Sequence, residues 1–140
     1  MAKTSDLLLD TCAAIWLAQG AFMEPSALAA MKAANDDGRP LRLSLVTAWE
    51  LGLLAKSGRA AMAAAPAAIF QSFLRLPGVQ PQPLTADILI DSSLLPGELH
   101  GDPADRIIIA TARALDLTIL TRDRHVLDYA DKGYVRALAC

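Results

Sequence analysis

The stretch "GDPADRIIIATARALDLTILTRD" (residues 101–123) decides how this chain is read. Asp102-Pro103-Ala104-Asp105 resembles a helix start: an N-cap, a proline at the first helical position and an acid in the first turn. "PADRIIIATARALD" then reads as a helix, and "LTILT" (117–121) as a strand. The two aspartates that flank the proline raise a chemical choice, between helix punctuation and holding something.

The same alternation runs outward from that stretch in both directions. "LLLD" (7–10) reads as a strand ending in Asp10, followed by a helix over "CAAIWLA". A helix is predicted from Pro25 to near Gly38, and "LRLSLV" (41–46) as a second strand. "TAWELGLLAKSG" follows as a helix, with Lys56 in its last turn and Gly58 just past it. The alanine-rich "RAAMAAAPAA" (59–68) reads as helix–kink–helix, because alanine is the best helix former. "PAAIFQSFLRL" (66–76) is a helical pattern closed by Pro77-Gly78, and the prolines of "VQPQPL" allow at most a short edge strand. "TADILIDSSLL" is a helix that leads through a Pro-Gly loop to the helix begun by Pro103. Towards the C-terminus, "RDRHVLDYA" reads as a short helix and "YVRAL" as a last strand. Strands alternating with helices imply an α/β fold with a parallel sheet covered on both faces. No internal repeat or linker breaks the pattern, so residues 1–140 are expected to form one domain.

Composition narrows the class without naming a function. Hydrophobic residues make up 54% and charged residues 20%, which excludes disorder. No run of 18 or more apolar residues exists, since Asp10 interrupts "LLLDTCAAIWLA", so no membrane span is expected. "MAKTSD" lacks the cationic segment and apolar core of a signal peptide, and the two cysteines, Cys12 and Cys140, form no metal-type spacing. A cytoplasmic protein is expected. The net charge of −2 offers no global basic field, although a local basic groove is compatible with it.

The chemistry is carried by acids. Parallel strands end on one edge of the sheet, where ligands bind. Asp10 closes the first strand, Glu50 lies in the first turn of the helix after the second, and Asp105 in the first turn of the Pro103 helix. Asp123 comes just after the "LTIL" strand. Each has a plainer reading alone. Asp10 would cap the helix starting at Thr11, and Thr47-Ala-Trp-Glu50 has capping-box spacing. Asp105 is ordinary first-turn charge, and Asp123 surface charge. Together they say more. Carboxylates about 4 Å apart repel by roughly 4 kcal/mol per pair at an effective dielectric near 20, a crowding that caps do not need and a divalent cation does. Oxygen-only donors suit Mg²⁺ or Mn²⁺ rather than zinc.

As a set, strand-Asp, helix-Glu, Asp-Arg helix and Thr-x-Asp resemble the PIN-domain family, most closely the VapC-type ribonuclease toxins. The similarity runs through "LLLDTCAAIWL", "SLVTAWELGLLAKSGR", "PLTADILIDSSLLPGELHGDPADRIIIATARALDLTILTRD" and "HVLDYA". The resemblance implies a three-layer α/β/α PIN-like domain with a central, mainly parallel sheet of four to five strands. It implies a metal-dependent endoribonuclease, the toxin of a type II toxin–antitoxin pair, whose catalytic and metal-binding acids match Asp10, Glu50, Asp105 and Asp123. Asp102 is assigned mainly to capping, otherwise to a position behind the direct ligands; Thr11 and Thr121 sit beside the acids, either as helix-start and strand-end residues or to hydrogen-bond a metal water or phosphate. The expected partners are RNA, a cognate VapB-like antitoxin whose C-terminal helix lies along a groove, and a second copy in a homodimer. A non-catalytic PIN-like scaffold that binds RNA or protein is the alternative, and a Mg-binding receiver-type domain a weaker one.

Hydrolysis of a phosphodiester needs an activated water, neutralised phosphate oxygens and a stabilised leaving alkoxide, which one or two Mg²⁺ or Mn²⁺ ions supply. Asp10 and Asp105 are expected to contact the ion most directly, and Glu50 and Asp123 to complete the shell or orient water. Arg106, Arg122 and Arg124 flank that edge as candidate RNA phosphate contacts. His100 and His125 are read as loop or surface residues, Cys12 as a small buried thiol, and Trp16 and Trp49 as core or interface residues. Trp16, Phe22, Leu28, Leu51 and Leu54 are the candidates for the antitoxin groove, with core packing as the competing reading.

Overall fold

The computed structural model describes residues 5–58, 62, 64–99 and 102–140. In chain order the elements are β1 (Leu7–Leu9), α1 (Thr11–Gln19), α2 (Pro25–Asp36), β2 (Leu41–Ser44), α3 (Val46–Ser57) and α4 (Pro66–Leu74). They continue as β3 (Val79–Gln82), α5 (Ala86–Ser93), α6 (Pro103–Leu115), β4 (Thr118–Thr121), α7 (Arg124–Asp131) and β5 (Arg136–Ala139). The five strands form one sheet in the order β3-β2-β1-β4-β5, and every neighbouring pair is parallel.

Alternation along β1 explains the three layers. Successive strand side chains point to opposite faces. Leu7 and Leu9 enter one core with Ala13, Met31, Leu43 and Phe73, under α1, α2 and α4. Leu8 enters the other with Ile108, Ile109, Ile119 and Tyr129, under α6 and α7. Both faces of β1 are therefore buried, and its three residues are all leucine, as a central parallel strand requires. At the margin the demands relax. β3 pairs on one side only, so Pro81, opposite Leu43, costs no ladder on its free side.

Four sequence expectations are corrected. The second strand stops at Ser44, and Val46 already begins α3, so Glu50 lies in the second turn rather than the first. The Thr47–Glu50 capping box is absent: the N-cap position is Leu45 without a side-chain cap, and the Ser44 hydroxyl accepts the Val46 N–H at 3.1 Å. In the alanine-rich stretch, residues 62, 64 and 65 are not helical and α4 starts only at Pro66, while residues 59–61 and 63 lie outside the described residues. Of the proposed groove residues, Leu51 is buried in the core, Trp16 and Leu54 are half-buried, and Phe22 and Leu28 are exposed. Among the described residues no helix is long and apolar enough to cross a membrane.

Candidate functional site

The strand order reverses at β1. The chain leaves it towards β2 and β3, then returns to its other side with β4 and β5. Such a reversal opens a crevice at the carboxyl ends of the strands. Asp10 follows β1 there, and its N–H donates to the Leu120 carbonyl at 3.2 Å. Its Oδ1 accepts the Ala13 N–H at 2.7 Å, capping α1, while Oδ2 accepts the Thr121 hydroxyl at 2.5 Å. Asp10 is 6% exposed, and burial raises its carboxyl above the ordinary carboxylate range. The bonds to Thr121 and Ala13 oppose that rise, and the nearby Asp123 charge adds to it.

Two threonines fix the remaining geometry. The Thr11 hydroxyl donates to Glu50 Oε1 at 2.5 Å, and Thr11 Oγ1 lies 2.9 Å from Thr47 Oγ1. A hydroxyl has one proton, so Thr47 must donate to Thr11, and a relay runs Thr47 to Thr11 to Glu50. Thr121 works likewise: it donates to Asp10 and accepts the Asp123 N–H at 2.9 Å. Asp123 in turn caps α7 through the Val126 N–H at 3.1 Å. The plain surface-charge reading of Asp123 is therefore wrong, because its first job is a helix start. Asp102 caps α6 as expected, accepting the Asp105 N–H at 2.9 Å.

Asp10, Glu50, Asp102, Asp105 and Asp123 all line one open pocket of about 280 Å³. Burial first, then the charges of Asp102, Asp123, Glu50 and Asp10, pushes Asp105 up to about 7. Glu50 is raised by burial and by Asp102 and Asp10, against the lowering effect of Thr11. Sequence distances of up to 113 residues thus close into one acidic cup. Among the described residues no three His, Cys, Asp or Glu side chains stand closely enough to hold a metal ion as they are placed. Caps and threonines hold Asp10, Glu50, Asp102 and Asp123 around the pocket wall rather than at one point. Oxygen-only carboxylates, three of which (Asp10, Glu50 and Asp105) resist ionisation, are still the donor set that a hard divalent cation fits. Asp10, Glu50, Asp105 and Asp123 are the side chains that could hold it.

Other expected site residues divide. Arg106 donates to the carbonyls of Ser92 at 2.9 Å and Leu99 at 3.1 Å, so its guanidinium ties α5 and the following loop to α6. Arg124 pairs with Asp128 at 3.7 Å on the exposed side of α7, and His125 is exposed beside it. Arg122 does line the pocket, stacked over Trp16 at 3.8 Å. His100 lies outside the described residues. Trp49 is 48% exposed rather than core.

Two residues join the cup that sequence reasoning had put elsewhere. Cys12 is exposed on the pocket wall, not buried. Partial burial of the thiol group itself, then the four neighbouring acids, push it up to about 11, away from the thiolate that a reactive cysteine needs at neutral pH. Trp16 is the second. The signal was helical spacing: Cys12 and Trp16 are four residues apart on α1, which turns both towards the side that Asp10 begins.

Comparison with known proteins adds three findings. The family model for the PIN domain matches residues 7–132. Comparison with curated protein sequences finds no match. Among solved structures, the chain is similar to VapBC2 from Rickettsia felis bound to a promoter DNA fragment, with a TM-score of 0.67 and 13% identity. That match covers 95% of this chain and 97% of the other. It is also similar to FitAcB from Neisseria gonorrhoeae, at a TM-score of 0.58, 20% identity and coverage of 94% and 96%. FitAB bound to a DNA fragment gives a TM-score of 0.58, 18% identity and coverage of 95% and 94%. At these identities the likeness is one of fold.

Proposed function

The chain belongs to the PIN-domain family, and on that premise we propose that it is a Mg²⁺- or Mn²⁺-dependent endoribonuclease acting as the toxin of a toxin–antitoxin pair. PIN domains are in general nucleases, which makes phosphodiester hydrolysis the expected class. The observation that carries the reading is the gathering of five carboxylates around one pocket where the strand order reverses.

In this reading Asp10 and Asp105 would hold the cation most directly, and Glu50 and Asp123 would complete its shell or orient water. Bound there, one or two divalent ions would activate water and neutralise phosphate and leaving-group charge. The chain's own residues do the positioning. Thr121 holds Asp10 by one oxygen, and Thr11 holds Glu50, so neither carboxylate swings freely. Fixing ligands in advance lowers the cost of ordering them when substrate arrives. Asp105, pushed up to about 7 by burial and its acidic neighbours, holds its proton more tightly than an ordinary aspartate.

The fold neighbours include VapBC and FitAB complexes, and on that likeness a VapB-like antitoxin is the proposed protein partner, with a homodimer as the working assembly and the cytoplasm as its place. The exposed Phe22 and Leu28 remain candidates for the antitoxin contact.

The test is cleavage of RNA with Mg²⁺ or Mn²⁺ and an EDTA control. Asp10→Asn keeps an oxygen for the Ala13 N–H but removes the charge. Cutting should fall by more than about a hundredfold, since even groups behind a direct ligand are commonly worth 10–100-fold. Undiminished or EDTA-resistant cutting by the variant overturns the assignment. RNA binding without any cutting points to the scaffold reading instead.

A further inference from the structure

The acidic cup has one cation among the described residues of its wall, and that cation is held in an unusual way. Arg122 sits between β4 and α7, and its guanidinium lies over the Trp16 ring at 3.8 Å. A second restraint comes from the Phe22 carbonyl, which accepts from the same guanidinium. Trp16 is half-buried, packed against the core below α1, so the plane rests on a fixed base. Arg122 itself is exposed. Indole covers the guanidinium on one side, while Arg122 as a residue is exposed and lines the pocket.

This arrangement answers a problem posed by the cup. A phosphate backbone approaching five carboxylates needs a positive anchor, and Arg106 and Arg124 are engaged elsewhere. A flat cation backed by an aromatic ring offers both charge and a π-like surface. Unpaired bases stack on such guanidinium planes, whereas bases inside a duplex are already stacked. We infer that the Arg122–Trp16 stack is a subsite for single-stranded RNA, in which the guanidinium plane receives the base beside the scissile phosphate. The inference rests on the endoribonuclease reading and adds to it a requirement for an unstacked nucleotide next to the cut. Trp16 acts as a positioning residue: it touches the guanidinium rather than the RNA.

The test uses the full chain, Mg²⁺, and a 16-nucleotide single-stranded RNA spanning a site that the chain cuts. A matching series has one base at a time removed, leaving the ribose and phosphate. Removing one base beside the cut should raise KM on the order of tenfold. Arg122→Lys keeps the charge but not the plane. It should raise KM for intact RNA by a similar factor, change kcat little, and make the missing base cost nothing further. A base-removal penalty that is unchanged in Arg122→Lys overturns the subsite, as does the absence of any sensitive base. Damage to the fold alone would lower both RNAs equally and leave that penalty intact. The same comparison is made by fluorescence anisotropy of labelled RNAs with Ca²⁺ in place of Mg²⁺. Binding with a lost penalty but no cutting retains the subsite and fails the nuclease reading. Binding that shows no base dependence fails the subsite.

Discussion

Thr11 has a single hydroxyl proton, and Glu50 receives it. Removing that proton removes the one interaction that holds the Glu50 carboxyl down against burial and its acidic neighbours. Thr11→Val, which keeps the shape of the side chain, should therefore raise Glu50 further. Metal uptake needs the deprotonated carboxylate, so the acid limb of Mn²⁺ binding should move to higher pH in the variant. A titration of Mn²⁺ affinity between pH 5 and 8 reads this, and an unmoved profile would show that Glu50 takes no part. At this scale the sequence was uneven. Thr11 and Glu50 were both singled out, but their link was hidden, because nothing in a spacing of 39 residues reports a contact between two elements. Cys12 misled for a related reason: a small apolar-leaning thiol between buried neighbours reads as core, and only the helix phase turns it to the pocket.

Helix α6 carries the clearest case of two roles separated by one turn. Asp102 caps it and is exposed, while Asp105 looks into the cup. The opening question of the sequence, punctuation or ligand, thus divides between the two aspartates. Asp102→Ala removes the cap and should cost about 1 kcal/mol, whereas Asp102→Asn keeps an acceptor and should cost only a few tenths. Both variants remove the largest charge acting on Asp105, so both should lower the Asp105 carboxyl from about 7. Urea unfolding separates the variants and an NMR titration of Asp105 unites them. A stability loss shared equally by both would contradict the cap. Elements of this kind were legible because caps, prolines and apolar periods are local. The start of α3 was not, because "LRLSLV" is apolar enough to continue a strand, and tertiary packing of Val46 against Ile108 and its neighbours decides where the helix begins.

For the whole molecule, the parallel sheet covered on both faces followed from alternation, the three-layer PIN-like form from the family resemblance, and the site from asking where parallel strands end. What the sequence did not supply was the spacing inside the cup, since helix-start bonds and threonine hydroxyls hold Asp10, Glu50, Asp102 and Asp123 at the wall. The cup opposes folding in a way that pH exposes. Asp105 rises from an ordinary 3.8 to about 7 on folding, with Asp10 and Glu50 also raised. A folded-state pKa above the unfolded one gives stability that is present in full below about pH 4 and is lost as pH rises through about 7. The metal-free chain should therefore melt at a higher temperature at pH 5.5 than at pH 8. Asp105→Asn should raise the melting temperature at pH 8.

The most direct measurement is thermal unfolding at pH 5.5 and pH 8 with and without Mn²⁺, for the unaltered chain and Asp105→Asn. A ligand at a hundred times its Kd stabilises the folded state by about 2.7 kcal/mol. The expected result is a rise of several degrees with Mn²⁺ at pH 8, little at pH 5.5, and none in Asp105→Asn. A rise that persists in Asp105→Asn, or no response of the unaltered chain at pH 8, would contradict a cation-binding cup.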